Sequence, residues 1–145
     1  MLDVGDRAQL FVDLMAVGST ERIAFTVHPA HKHPLNPLIK ADQPWEGWWV
    51  RILGGSVLFD EDEQLFKMWY LSSSKCFPDF GVHYARSRDG VHWEKPLVGT
   101  IQCAEHAHHN VVLNNMGVIS VMRDPAEADS ARRYKMIGFD TQKGP

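Results

Sequence analysis

The chain has 145 residues, of which 44% are apolar and 23% charged, and its formal net charge is −3. These values fit a globular protein with one ordinary core and give no basic footprint for nucleic acid or an anionic membrane. No run approaches the roughly 20 apolar residues of a membrane span, and Met1–Asp6 lacks the basic and apolar stretches of a secretory signal, which places the chain as written in the cytoplasm unless its true start lies upstream.

Residues 1–40 form a leader. Gln9–Val17 predicts a strand, and Glu21–His28 alternates well enough to be its partner across Gly18-Ser19-Thr20. His28, His31 and His33 lie in a Pro-rich stretch with no carboxylate among them, the pattern of a solvated loop. Residues 41–100 then read as successive antiparallel strands. Val57, Leu58 and Phe59 are consecutive and apolar, which suits a strand covered on both faces. Asp60–Gln64 supplies the charge of a hairpin turn. Phe66, Met68 and Tyr70 alternate with Lys67 and Trp69, and Val82, Tyr84 and Arg86 alternate with His83, Ala85 and Ser87. Period 2 dominates, so helix is expected to be scarce.

Residues 101–145 repeat the pattern. Val118–Pro125 is a strand running into a turn, Ala126–Ala131 a polar hairpin, and Arg133–Phe139 its return strand. Phe66-Lys67-Met68 and Tyr134-Lys135-Met136 therefore take equivalent places in two copies of one unit, and Asp60 matches Asp124. The expected fold is all-β, a β-propeller, with leader strands in 1–40, a first blade in 41–100 and a partial second blade in 101–145. Closed propellers need ~4 to 8 blades, so the chain, with about one and a half, reads as a fragment. Such a piece is expected to leave Val57, Phe59, Met68 and Trp69 partly uncovered and to self-associate.

In Ser87–Trp93, Ser87 and Asp89 are placed to bond back to turn amides, Gly90 to take φ > 0, and Trp93 to lie against the blade. Cys76 and Cys103 fall in different predicted segments and read as ordinary thiols rather than a disulfide or a zinc site. His106 and His108 would share one strand face beside Glu105, but no second spaced pair exists, so no metal and no cofactor is expected.

Leu10-Phe11-Val12-Asp13, His28-Pro29, His33-Pro34-Leu35-Asn36-Pro37-Leu38, Pro44-Trp45-Glu46, the Gly55–Asp60 to Phe66–Tyr70 hairpin, Tyr84–Pro96 and Arg132–Met136 together resemble the N-terminal part of bacterial five-bladed propeller proteins related to glycoside hydrolase families 32 and 43. The resemblance implies a carbohydrate-active protein whose sugar site lies at one end of the central channel, where loops leading into the innermost strands converge. The chain departs from the family patterns at the first catalytic carboxylate: Leu35-Asn36-Pro37 carries Asn where the families carry Asp. Arg123-Asp124-Pro125 reproduces the letters of the family 32 Arg-Asp-Pro triplet, whereas the internal repeat places Asp124 in a hairpin turn. Ser87–Trp93 is also similar to the Asp-box of sialidases, one residue short between Asp and Gly, and in either family that element is structural.

Sugar recognition needs aromatic faces together with carboxylate, amide and guanidinium groups, and glycosidic cleavage needs two carboxyls about 5 to 9.5 Å apart. The segment Asp42–Arg51 carries all these types. Glu46 is a candidate acid, base or hydroxyl acceptor, Arg51 a donor, and Trp45 or Trp48 a stacking platform; alternatively the tryptophans seal the core and Glu46 pairs with Arg51. The matching segment Glu105–Asn110 offers His109 and Asn110 to hydroxyls. Glu46 and Asp124 are the candidate catalytic carboxylates, and Trp45, Glu46, Arg51, His109 and Asn110 the candidate substrate-binding set. Two classes of function remain: a glycoside hydrolase completed by further blades, or a non-catalytic propeller that binds carbohydrate or protein.

Overall fold

A computed structural model describes residues 5, 14, 17–76 and 79–142, and only the backbone of Gly54 and Gly55. The chain divides into two units, Met1–Lys32 and His33–Pro145. In the first, the strand expected over Gln9–Val17 lies outside the described residues apart from Leu14 and Val17. Glu21–His28 is not a strand, and Ile23, Phe25 and Val27 are exposed. Alternation alone does not make a strand, because each extended backbone needs a partner to take up its N–H and C=O groups.

The second unit is all-β and antiparallel. Its elements are β1 (Glu46–Asp60), β2 (Leu65–Ser74), β3 (Phe80–Ser87), β4 (Val111–Asn114), β5 (Met116–Arg123) and β6 (Tyr134–Asp140), with one 3-10 turn at Ser130–Arg132. Strands β1 to β4 form a four-stranded sheet in sequential order, and β5 and β6 form a separate hairpin. No closed ring of sheets is formed among the described residues, and no helix among them is long and apolar enough to cross a membrane.

Strand β1 is longer than the sequence implied, since it begins at Glu46, well before the apolar run Val57-Leu58-Phe59. It pairs with β2 at Glu46↔Ser74, slips before Val50↔Ser72, and slips again between Arg51 and Ser56. Bulges of this kind break the alternation by which a strand is recognised. Strand β4, within the stretch assigned to the second blade, pairs with β3 and completes the first sheet.

The two sheets meet through Trp69, Leu71 and Val82 on one side and Ile119 and Val121 on the other, with Leu58, Tyr134 and Met136 packed around them. Burying side chains of this size contributes about 1.5–3 kcal/mol each. A second cluster, Met68, Tyr70 and Ala85, lies on the opposite face of the first sheet under Ile39, Val50 and Trp93. Val57 and Phe59 are 45% and 44% exposed, as expected of an incomplete stack, but Met68 and Trp69 are buried against that expectation. The β5–β6 hairpin covers Trp69, and Ile39, Val50 and Trp93 cover Met68.

The expectation of two ordinary thiols is overturned: Cys76 and Cys103 form a disulfide with their Cα atoms 4.7 Å apart. The bond ties the loop after β2 to the loop before β4, a proximity of segments 27 residues apart that spacing in the sequence does not reveal.

The turn reading of Ser87–Trp93 is borne out. The Ser87 hydroxyl accepts from the amides of Asp89 (3.2 Å) and Gly90 (2.9 Å), and Asp89 Oδ1 accepts from those of Val91 and His92 (both 2.8 Å). Gly90 has φ +73°, and Trp93 Nε1 donates to its carbonyl at 3.1 Å. The hydrogen bonds from His92 hold the Asp89 carboxyl well below the usual carboxylate range.

Candidate functional site

The turn Gln43–Glu46, closed by the Glu46 amide on the Gln43 carbonyl (3.0 Å), delivers Trp45 and Glu46 to one end of the first sheet. The loop before β4 delivers His109 and Asn110 to the same end. Asn110 is fully buried; its Oδ1 accepts from Trp45 Nε1 at 2.7 Å, and its Nδ2 donates to the Tyr70 hydroxyl (2.8 Å) and the Tyr84 carbonyl (2.7 Å). The Tyr70 hydroxyl in turn donates to Glu46 Oε1 at 2.8 Å. The amide, the phenol and the carboxylate thus form one buried relay.

Glu46 has no exposed side-chain surface. Its Oε2 accepts from the backbone amides of Asp42 and Gln43, both at 3.0 Å, and from Lys95 Nζ at 2.7 Å; Oε1 accepts from Tyr70 and from Lys95 at 2.9 Å. Every lone pair that an ionised carboxylate offers is engaged. Lys95, itself only 7% exposed, spends its remaining protons on the Lys40 carbonyl and on Asp42 Oδ1 at 2.8 Å. Burial, followed by the charge of Glu46, pushes the Tyr70 hydroxyl far above its ordinary value, so it stays protonated. Burial acts to raise the Asp42 carboxyl, but hydrogen bonds from Lys95 and Gln43 more than offset it and hold the group below the usual carboxylate value.

His83, fully buried, stacks on Tyr70 with ring centroids 5.3 Å apart, and its Nδ1 lies 3.3 Å from Asn110 Oδ1, an acceptor, which places the proton on Nδ1. Its Nε2 has no hydrogen-bond partner among the described residues. Burial pushes His83 down to about 4, so the ring is neutral at pH 7. His109 is locked as well: Nε2 donates to the Ile101 carbonyl at 2.8 Å and Nδ1 accepts from the Val111 amide at 3.1 Å. A Cβ at Gly99 would fall 1.9 Å from His109 Nδ1, so only glycine lets the ring lie there.

The structure therefore brings together Trp45, Glu46, His109 and Asn110, four of the five expected binding residues, but turns them inward. Arg51 does not join them. Its guanidinium sits 4.9 Å from the Trp49 ring on the exposed side of β1 rather than on Glu46, whose partner is Lys95. Asp124 is engaged at the β5–β6 turn, accepting from the Ala126 amide (3.1 Å) and Lys135. His106 lies in an irregular segment with its ring 6.2 Å from Trp45, and His108 is exposed, so they share no strand face. No three His, Cys, Asp or Glu side chains converge on a metal position among the described residues.

On the solvent side of the cluster, Leu38, Asp42, His92, Trp93 and Lys95 border a groove of about 380 Å³. Lys95 links the buried relay to this groove. Neither Lys95 nor Tyr70 was singled out in the sequence: Lys95 lies 49 residues from Glu46, and Tyr70 reads as one more alternating strand aromatic. Comparison with family models, with curated proteins and with solved structures found no match to this chain.

Proposed function

We propose that the chain is the blade-bearing part of a carbohydrate-binding β-propeller related to glycoside hydrolase families 32 and 43, and that a glycan engages the groove beside Asp42 and Lys95. The observation that carries this reading is the meeting of the segments before β1 and before β4 at one end of the first sheet, beside a groove of mixed polar and apolar lining, although β4 is the outer strand of that sheet and not the inner strand of a second blade. An indole (Trp93), an ionised carboxylate (Asp42, 59% exposed) and an imidazole (His92) border the groove there, the mixture of apolar plane and polar groups that sugar rings require. Binding is favoured over cleavage because Glu46 and Asp124 are both occupied by lysines and turn amides. A general acid needs a proton to give and a nucleophile a lone pair facing substrate, and neither carboxylate offers one.

The same reading places the protein where a Cys76–Cys103 bond persists, an oxidising compartment. The test is titration calorimetry against a panel of neutral and acidic oligosaccharides. Asp42→Asn is expected to weaken the best ligand by about 10-fold, the worth of one charge-assisted hydrogen bond, with a melting temperature lowered by no more than the loss of its half-exposed ion pair with Lys95 accounts for. Failure of every saccharide to bind, or equal affinity of wild type and Asp42→Asn, would overturn the proposal.

A further inference from the structure

The two hairpins are copies in detail. Ser56 pairs with Trp69, Leu58 with Lys67 and Phe59 with Phe66; Ser120 pairs with Ile137, Met122 with Lys135 and Arg123 with Tyr134, so Asp60 and Asp124 close equivalent ends. In both, the register slips immediately before the serine. In both, the aspartate accepts from the amide two residues on and from the lysine, and that lysine also reaches the glutamate three residues after the aspartate.

This equivalence identifies what is missing from the second hairpin. In the first, the face carrying Leu58, Trp69 and Leu71 is covered by Val121, Tyr134 and Met136 of the second, and Ser56 Oγ accepts from the Val121 amide at 2.7 Å. The corresponding face of the second hairpin carries Met122, Ile137 and Phe139, 60%, 75% and 47% exposed, with Ser120 exposed among them. By the same equivalence, the residues that match Val121, Tyr134 and Met136 are Val57, Phe66 and Met68. They belong to the other face of the first hairpin, where Val57 and Phe59 are half exposed. That face also holds an apolar hollow of about 450 Å³ bordered by Leu38, Ile39, Val50, Val57, Met68 and Trp93.

We infer that the Met122–Ile137–Phe139 face is an interaction surface for a second copy of this chain, which docks head to tail through its Val57–Phe59 face and repeats between molecules the packing seen within one. Phe59 and Phe66 stand where Arg123 and Tyr134 stand in the internal interface, so the contact lacks the links of Arg123 and Tyr134 to Asp62 and Asp60 and is apolar. Because donor and acceptor faces differ, the interface is heterologous, and the assembly either closes into a ring or keeps one face of each kind open at its ends. This inference rests on the repeat and is independent of the glycan reading.

Sedimentation velocity over a concentration series tests it. Wild type is expected to associate with little dependence on salt. Ile137→Lys and Val57→Lys, both at exposed positions, are each expected to weaken association by at least about 30-fold, the loss of one central apolar anchor, with unchanged circular dichroism. The equimolar mixture of the two variants is expected to recover a 1:1 dimer, since one supplies an intact second-hairpin face and the other an intact first-hairpin face. A monomeric wild type, a Val57→Lys protein that associates as wild type does, or a mixture that stays monomeric would each overturn the inference.

Discussion

The hairpins β1–β2 and β5–β6 share one clamp, aspartate, glutamate and lysine at matched positions, yet the clamp sits in different surroundings in each. In the first, Lys67 and Asp60 have side chains 8% and 4% exposed, and the Tyr134 hydroxyl adds a donor to Asp60. Burial acts to raise the Asp60 carboxyl, but the hydrogen bonds from Tyr134 and Lys67 outweigh it and leave the group far below the usual range. In the second, Lys135 and Asp124 are 44% and 30% exposed and face solvent. A motif laid down twice does structural work in proportion to what covers it. An ion pair in water contributes little, whereas removing half of a buried one strands the other half.

If damage scales with cover, the largest loss should come from the most enclosed charge. Glu46→Gln is expected to destabilise the protein by about 3 kcal/mol, since it leaves the buried Lys95 ammonium with Asp42 as its remaining charged partner; urea unfolding measures this. Reduction of Cys76–Cys103, or Cys103→Ser, should cost a similar amount, about 3.5 kcal/mol, the chain-entropy value for a loop of this length. The control is Ellman titration, which should detect two thiols only after reduction.

A third test uses pH. His83 has its folded pKa lowered to about 4 from 6.5, so between those values the unfolded chain binds more protons than the folded one. The stability contributed by the neutral ring is fully present above pH 6.5 and declines as pH falls toward 4, by up to about 3 kcal/mol. His83→Gln should flatten the stability profile in that window. Smaller again is Gly90→Val, expected to cost about 1 kcal/mol because φ +73° is strained for a β-branched residue.

What the sequence disclosed was local. Ser87–Trp93 was legible because its hydrogen bonds run between residues two or three apart, and the hairpins because pairing near a tight turn follows from alternation. The match of Asp60 with Asp124 came from the repeat and survives down to the hydrogen bonds of their lysines. The convergence of Trp45, Glu46 and Asn110 was legible as a set of polar residues preceding strands, but their inward orientation was not. It depends on Lys95 and Tyr70, which reach Glu46 from distant segments. The first half of β1 was hidden by its two slips in register, and Arg51 was misplaced because both its assignment to the binding set and its alternative pairing with Glu46 rested on nearness in sequence. The disulfide was missed because only the fold brings the loops after β2 and before β4 together.

The comparison of the two clamps is tested most directly by thermal unfolding of Asp60→Asn and Asp124→Asn side by side. The account predicts that Asp60→Asn loses about 2 kcal/mol, with Glu63 still receiving the buried Lys67 ammonium, while Asp124→Asn melts with the wild type. Equal melting temperatures for the two variants, or a larger loss in Asp124→Asn, would contradict it.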